Sequence, residues 1–478
     1  MRWPVVMAAL WLLAACAGAP PVPDPAAPTP TEWQAPLPHG GQVNALAVWW
    51  QQFDDPLLVQ LIDAAQEASA SVASARSRIE QARATRVAAG AALLPALDAS
   101  ASASRSRQDL FSPLASTASA GVQAAWEIDL FGGRRAATNA AQQRLDGARA
   151  GWHDARVAVA AETATSYTSL RACEAQLEQQ RADTASRAQT ARLTDLSAQA
   201  GFEAPANAAL ARASAAQANS LLTQRRAQCD SLVKGLVALT GLQEPALRTQ
   251  LAGRSAQGLK VPEMPQMPQV PQPAQISVPA VPAQALAQRP DVFMAERDLL
   301  AARADVAQAR AQRWPSIRLA GSIGALRLDS AGASDTASVW SIGPVSVLLP
   351  LFDGGTRRAN VDAAQARVDE SAALYRARLR TAVREVEDAL VTLQSTADRQ
   401  ADARTASDGF AASLRATQAR FSGGLASLFE LEDARRSSVQ AQVALIDLQR
   451  ERSTAWIDLY RALGGGWSMP DAAVATQP

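Results

Sequence analysis

Apolar and polar positions alternate at period two in four short stretches of this chain. Leu97, Ala99, Ala101 and Ala103 alternate with Asp98, Ser100, Ser102 and Ser104. Val122, Ala124, Trp126, Ile128 and Leu130 alternate with Gln123, Ala125, Glu127 and Asp129. Ile317, Leu319 and Ile323 alternate with Arg318, Ala320 and Ser322, and a less regular fourth stretch near 338–351 holds Pro344 and Pro350. Period two sends successive side chains to opposite faces, and about ten such residues are the pattern of a strand crossing a bilayer in a β-barrel. A soluble half-buried hairpin gives the same alternation, so the argument rests on four such stretches of membrane length in one chain. Four strands cannot close a barrel, and lipid tolerates no open sheet edge. The pattern therefore predicts a barrel shared between chains under closed cyclic symmetry.

A different period governs the longer segments. From Arg357 to about Phe421 there is no Pro, and apolar side chains recur at Val361, Ala364, Val368, Ala372, Tyr375, Leu379, Val383, Val386, Leu390, Leu393 and Ala397. Steps of three and four mark a coiled-coil seam. At 1.5 Å per residue such a helix reaches roughly 90–100 Å. A similar helix is predicted over about Arg134 to Ala200. Each turns at a glycine, Gly201 or Gly424, and returns as a second helix to about residues 240 and 463.

These elements occur twice. Leu94-Pro95-Ala96-Leu97 returns as Trp314-Pro315-Ser316-Ile317, offset by 220 residues, and Phe131-Gly132-Gly133 as Phe352-Asp353-Gly354-Gly355, offset by 221. The turn Ala200-Gly201 matches Gly423-Gly424 at an offset of 223. So small a drift marks an internal duplication. The order predicted is a signal peptide, 1–15; a Pro-rich tether, 16–47; a first repeat of helix, hairpin and long helical hairpin, 48–250; a Pro-rich linker, 251–284; a second repeat, 285–465; and a C-terminal tail, 466–478.

The N-terminus predicts export. Arg2 precedes an apolar run, Pro4 to Leu13, too short to span a bilayer, and the run ends Leu13-Ala14-Ala15-Cys16. That ending resembles a bacterial lipobox, in which Cys16 becomes the lipidated first residue. Ala17 follows where an Asp would signal inner-membrane retention, which favours the outer membrane. No second run of 18 apolar residues exists for a transmembrane helix, so the strands must do any crossing. Aromatics are only 5% of the 478 residues and much of the apolar share is Ala, which suits close helix packing. A net charge of +1 argues against a nucleic-acid partner.

Catalytic chemistry has no foothold in these residues. The two histidines, His39 and His153, lie far apart, and no Cys/His spacing suggests a metal. No cofactor is expected. Gly132-Gly133 and Gly354-Gly355 invite a phosphate-loop reading, but no Lys-Ser/Thr follows them. They read as strand-to-helix turns needing permissive backbone. Arg134-Arg135 and Arg357-Arg358 follow these turns; a solvated-charge role and a lumen role both fit. Cys173 and Cys229 each lie 28 residues from Gly201, level with each other on the two arms of the first helical hairpin. An oxidising compartment permits a disulfide between them; two buried thiols are the alternative.

The chain resembles the TolC-type outer-membrane efflux proteins, in their lipoprotein branch. The matching motifs are Trp49-Trp50-Gln51-Gln52-Phe53-Asp54-Asp55-Pro56-Leu57, Arg289-Pro290-Asp291-Val292, Pro350-Leu351-Phe352-Asp353-Gly354-Gly355 and Arg420-Phe421-Ser422-Gly423-Gly424-Leu425. The resemblance implies a mainly α fold with a small β part: a trimer sharing a twelve-stranded outer-membrane β-barrel, continued into the periplasm by an α-barrel of long coiled-coil helices. It implies a homotrimer in contact with outer-membrane lipid, a periplasmic adaptor (membrane fusion) protein and an inner-membrane transporter of the resistance-nodulation-division class as partners, and passive conduction of exported substrates. A conduit for polypeptides and a coiled-coil lipoprotein without a conduit are the alternatives. It also places acidic gate rings at Glu430 and Asp433, which share a helix face. Where some members carry Arg and Tyr gate partners this chain has Ala426 and Phe421, so closure is expected to fall to Leu428, Leu431 and backbone packing.

Overall fold

The computed structural model describes residues 46–107, 113–255, 288–330 and 333–467, together with positions 30, 33–35, 271 and 286. Cys16 and its lipobox, and nearly all of the tether and linker, lie outside the described residues. A 3-10 helix over Leu46–Phe53 leads into α1 (Pro56–Ala68) and α2 (Ala70–Ala91). Strands β1 (Ala96–Ser106) and β2 (Ala115–Ile128) follow, then the helical hairpin α3 (Gly133–Gln199) and α4 (Pro205–Thr240), and a short α5 (Glu244–Ser255). The second repeat runs α6 (Pro290–Ala311), β3 (Ser316–Ser330), β4 (Ala333–Leu348), α7 (Thr356–Ser422) and α8 (Leu428–Ala462).

Helices α3 and α7 are each 67 residues long, about 100 Å at 1.5 Å per residue. The predicted seam of α7 is the side that packs: Ala364, Val368, Leu379, Val386, Leu390 and Leu393 are all buried. Ala397, the last seam position, is exposed, and Thr396 beside it is buried instead. A seam of period 3.5 drifts around a helix of period 3.6, and by Thr396 that drift has shifted the contact by one residue.

The main core forms a belt near the middle of these helices. Trp49, Trp50 and Phe53 from the 3-10 helix and Leu58, Leu61 and Ile62 from α1 pack against α3, α4, α7 and α8 there. Trp49 stacks on Tyr460 of α8, ring centroids 4.9 Å apart. Asp55 caps α1 through the Leu57 N–H at 3.1 Å and accepts a 2.6 Å bond from the Tyr167 hydroxyl. The tryptophan-rich motif thus ties the start of the chain to both long hairpins.

The four strands form one antiparallel sheet in the order β1-β2-β3-β4. β2 ends at Ile128, so Leu130 belongs to the turn and not to the strand. β4 covers 333–348, earlier than the expected 338–351, and Pro350 falls outside it. Pro344 stays inside, beside a register shift opposite Leu319 and Gly321. Proline donates no ladder hydrogen bond, and a local irregularity of the ladder is where a strand can hold it.

Candidate functional site: sheet, turns and helical tip

The sheet separates two chemistries by register. Ala99, Val122, Ile323 and Trp340 lie abreast on one face, where Leu97 pairs with Ala124 and Trp126 with Leu319. The other face carries Ser102 hydrogen-bonded to Ser119 at 2.8 Å and Ser322 to Ser341 at 2.9 Å, with Gln123 between Asp98 and Ser322. The apolar face is solvent-exposed in the single chain at Leu97, Ile323, Trp340, Ile342 and Val345. Among the described residues β1 and β4 have no strand partner on their outer edges. A sheet with one apolar face, one hydroxyl-lined face and two open edges fits a shared barrel in lipid with a polar lumen. No described helix is long and apolar enough to cross a membrane.

At the junction of sheet and helices the two repeats reach one geometry by different residues. Asp129 accepts from the backbone N–H of Arg134 (3.0 Å) and Arg135 (2.9 Å), capping α3. Asp353 does the same for Gly355 (3.0 Å) and Arg357 (3.1 Å) at the start of α7. Carboxylates at helix N-termini satisfy orphan N–H groups and meet the positive end of the dipole. Arg134 bonds the Ala92 carbonyl at 3.0 Å and Glu127 at 2.8 Å, while Arg357 bonds the Gln312 carbonyl at 2.9 Å. Each of these arginines thus closes the C-terminus of the helix before its hairpin; Arg135 and Arg358 are solvated. Gly132, Gly354 and Gly355 have φ of 73°, 65° and 91°, a region that glycine enters without strain. Gly133 is the exception among the four turn glycines. Its φ is not positive, and an added Cβ would lie 2.9 Å from the Ala311 Cβ, so it is small because α6 passes close by.

At the far end the two hairpins meet side by side. Gly201 and Gly424 both adopt positive φ, 81° and 74°, in the turns. Glu430 sits in a capping box: its carboxylate accepts from the Ser427 N–H at 2.6 Å, and the Ser427 hydroxyl accepts from the Glu430 N–H at 3.2 Å. The Ser427 backbone, the Ser427 hydroxyl and Arg420 hold the Glu430 carboxyl below the usual range. Glu430 and Asp433 are 48% and 60% exposed and lie near Arg420 (3.7 Å) and Arg436 (3.8 Å) respectively.

The intervening acid, Glu432, faces the other way, into the first hairpin. It pairs with Arg187 of α3 and accepts from Ser214 of α4 at 2.6 Å. Arg435, only 2% exposed, bonds Glu432 at 2.8 Å, Thr190 at 2.8 Å and Ser186 at 2.9 Å. This network was not visible in the spacing, because its partners lie more than two hundred residues away. Leu428 and Leu431 are buried in the protomer, Leu428 against Ala191 and Ala211. Their burial turns them away from a pore, which corrects the expectation that they close one; Leu428 joins the two hairpins. The most exposed apolar side chains at this end are Phe202, Leu425 and Phe429.

Cys173 and Cys229 are joined in the structure, their Cα atoms 5.6 Å apart across α3 and α4. Closing a loop of 56 residues contributes about 4 kcal/mol in the chain-entropy account. Thiol labelling of denatured, unreduced protein is expected to find neither cysteine free, and reduction is expected to lower the unfolding midpoint. Two reactive thiols before reduction would contradict the bond.

The sequence pattern of the outer membrane efflux proteins matches residues 61–242 and 281–465. The chain belongs to that family. It is 32% identical over 481 residues to the solvent efflux pump outer membrane protein SrpC of Pseudomonas putida, covering 97% of this chain and 98% of that one. To the outer membrane protein OprJ of Pseudomonas aeruginosa it is 32% identical over 474 residues, covering 95% and 94%. The open-state crystal structure of the Neisseria gonorrhoeae MtrE outer membrane channel superposes with a TM-score of 0.77 at 25% identity, covering 95% of this chain and 99% of that one. As an outer membrane efflux protein, the chain joins two repeats of sheet and helical hairpin, and its family is one of conduits and not a known family of enzymes.

Proposed function

We infer that this outer-membrane efflux protein works as a homotrimeric conduit, held to the membrane by acylated Cys16. It receives small organic molecules from a periplasmic adaptor and an inner-membrane transporter and conducts them outward without chemistry of its own. The observation that carries this reading is the sheet: four strands of 11–16 residues with one apolar face and free edges, continuous with helices of about 100 Å. Strands of about 9–11 residues already cross a bilayer. Three chains supply twelve strands, and the serine face becomes the lumen. The likeness to a solvent efflux channel supports apolar and amphiphilic substrates. Planar-bilayer recording of purified trimers tests the conduit, with discrete conductance steps expected; protein that forms trimers yet never conducts would overturn it.

The gate belongs to the same proposal. Exposed Glu430 and Asp433, one helical turn apart, give two stacked rings of three carboxylates in a trimer. Such rings in a narrow pore favour cations and bind divalent ions. Glu430 also caps α8, so the informative variants keep the cap: Glu430→Gln and Asp433→Asn. Both together are expected to lower cation selectivity severalfold and weaken block by divalent cations from the periplasmic side, with trimers intact. Unchanged selectivity and block would remove the gate from these residues.

A further inference from the structure

One carboxylate in the middle of α7 holds the chain's own N-terminal segment. Glu387 Oε1 accepts from the Gln34 N–H at 2.6 Å, and Oε2 accepts from the Ala35 N–H at 2.8 Å. Trp33 and Ala35, 8% and 7% exposed, are seated in the belt core that also contains Val386 and Leu390. Charge-assisted bonds of this kind are about twice as strong as neutral ones. Both oxygens of one side chain are thus occupied by consecutive backbone groups from the opposite end of the sequence. That arrangement is a docking contact, and nothing in conduction through the lumen calls for it.

We propose that Glu387 and the segment Trp33–Ala35 form a clamp that fixes one end of the lipid tether at a set depth below the membrane, making the tether a spacer of matched length. The spacer rests on the reading that Cys16 is lipidated. From Thr356, the first residue of α7, to Glu387 is 31 residues, about 47 Å of helix. α7 begins just after β4, so this is close to the depth of the clamp below the barrel. Between Cys16 and Gln34 there are 18 residue steps, with Pro20, Pro21, Pro23, Pro25, Pro28 and Pro30 among them. At 3.1 Å per residue the Pro-rich stretch reaches about 56 Å, and its fully extended limit is about 65 Å. The reach exceeds the depth by only a few residues. The lipid and the clamp can both be satisfied, with little slack.

Ala35→Cys supplies the reporter, a small side chain replaced by another at a buried position. In membranes carrying full-length trimers this thiol is expected to react slowly with a maleimide. Glu387→Ala is expected to raise the rate tenfold or more, with the trimer retained on a native gel. Deleting Pro20–Ala27 leaves ten steps, at most about 36 Å, which is short of the clamp depth. In acylated protein this deletion should expose the reporter thiol as strongly as Glu387→Ala does, and adding Cys16→Ser should restore protection. An unchanged rate in Glu387→Ala overturns the clamp. Protection that survives the deletion, or exposure that survives Cys16→Ser, overturns the spacer. The mass of the N-terminal peptide separates the two readings: an N-terminus without acyl chains removes the lipid reading and the spacer, while the Glu387→Ala arm still decides the clamp.

Discussion

Replacing Gly324 by valine is expected to abolish stable trimers in outer-membrane fractions. Gly121 of β2 and Gly324 of β3 face each other in register. A Cβ added at Gly324 would lie 2.6 Å from the Ala120 carbonyl oxygen and 2.8 Å from the Gly121 Cα. One added at Gly121 would lie 2.8 Å from the Ile323 carbonyl oxygen. Every one of these obstacles is backbone of the paired strand, so no rotamer change relieves the clash and the ladder itself must open. Overpacking of this kind costs about 1–3 kcal/mol per site, and the trimer would carry it three times over. Glycine pairs let strands approach and bend sharply, which a small barrel requires. Gel migration of unheated and heated membrane fractions checks the outcome. Ala325→Val, one residue on and on the lipid-facing side, is the control expected to assemble. Trimers of Gly324→Val as heat-resistant as the parent's would contradict the argument.

The second large effect is expected at Arg289, in the belt. Its guanidinium bonds both oxygens of Asp291 (3.0 and 2.8 Å), Glu385 at 2.7 Å and the Ala462 carbonyl at 2.9 Å, all of it buried except part of Glu385. Burial pushes the Asp291 carboxyl up, but the Arg289 hydrogen bonds and charge outweigh it and hold it below the usual range. Removing one partner of a buried pair leaves an uncompensated charge, at a cost of about 3–5 kcal/mol. Arg289→Ala should therefore unfold well below the parent at neutral pH. The pH dependence has a definite sign. In the parent, Asp291 contributes stability above the normal carboxylate pKa that is lost as pH falls through its lowered value. In Arg289→Ala, Asp291 keeps only the Val292 N–H at 2.9 Å and half-exposed Arg378 at 3.8 Å against its burial, so the deficit is expected to grow as pH rises above the normal carboxylate range. The gap between the two proteins should thus be smallest near about pH 4 and widest near about pH 7, in thermal melts of detergent-solubilised trimers. Arg289→Lys is expected to recover little, because an ammonium cannot reproduce the planar fork on Asp291. A gap that does not change with pH would sink this account.

The elements were legible because their signals are local. Period two marked the strands and steps of three and four marked α7 to within a residue at each end, since side-chain direction follows directly from backbone geometry. Glycines at the two hairpin turns announced themselves, since left-handed backbone strains other residues. The duplication, with its hydroxyl-lined and apolar rows, was enough to imply a barrel shared between chains, because unsatisfied edges are not tolerated in lipid.

The site was legible only where a residue acts through its own neighbourhood. Glu430 and Asp433 could be placed on one face by spacing, yet Glu432 between them is the acid that turns inward to Arg187 and Arg435. The two N-terminal caps, Asp129 and Asp353, fall at non-equivalent positions of the repeats, so aligning one on the other would misplace the cap. Gly133 looked like a turn residue and proved to be a close approach to Ala311.

Local periodicity and backbone permissiveness, written in the sequence by itself, determined the helices, the strands, their order and their doubling. Only the tertiary structure decided which charges pair, which leucines are buried at the tip, and that Glu387 receives the N-terminal segment. Those contacts join residues hundreds of positions apart, and their energy depends on burial and distance, which no period along the chain encodes.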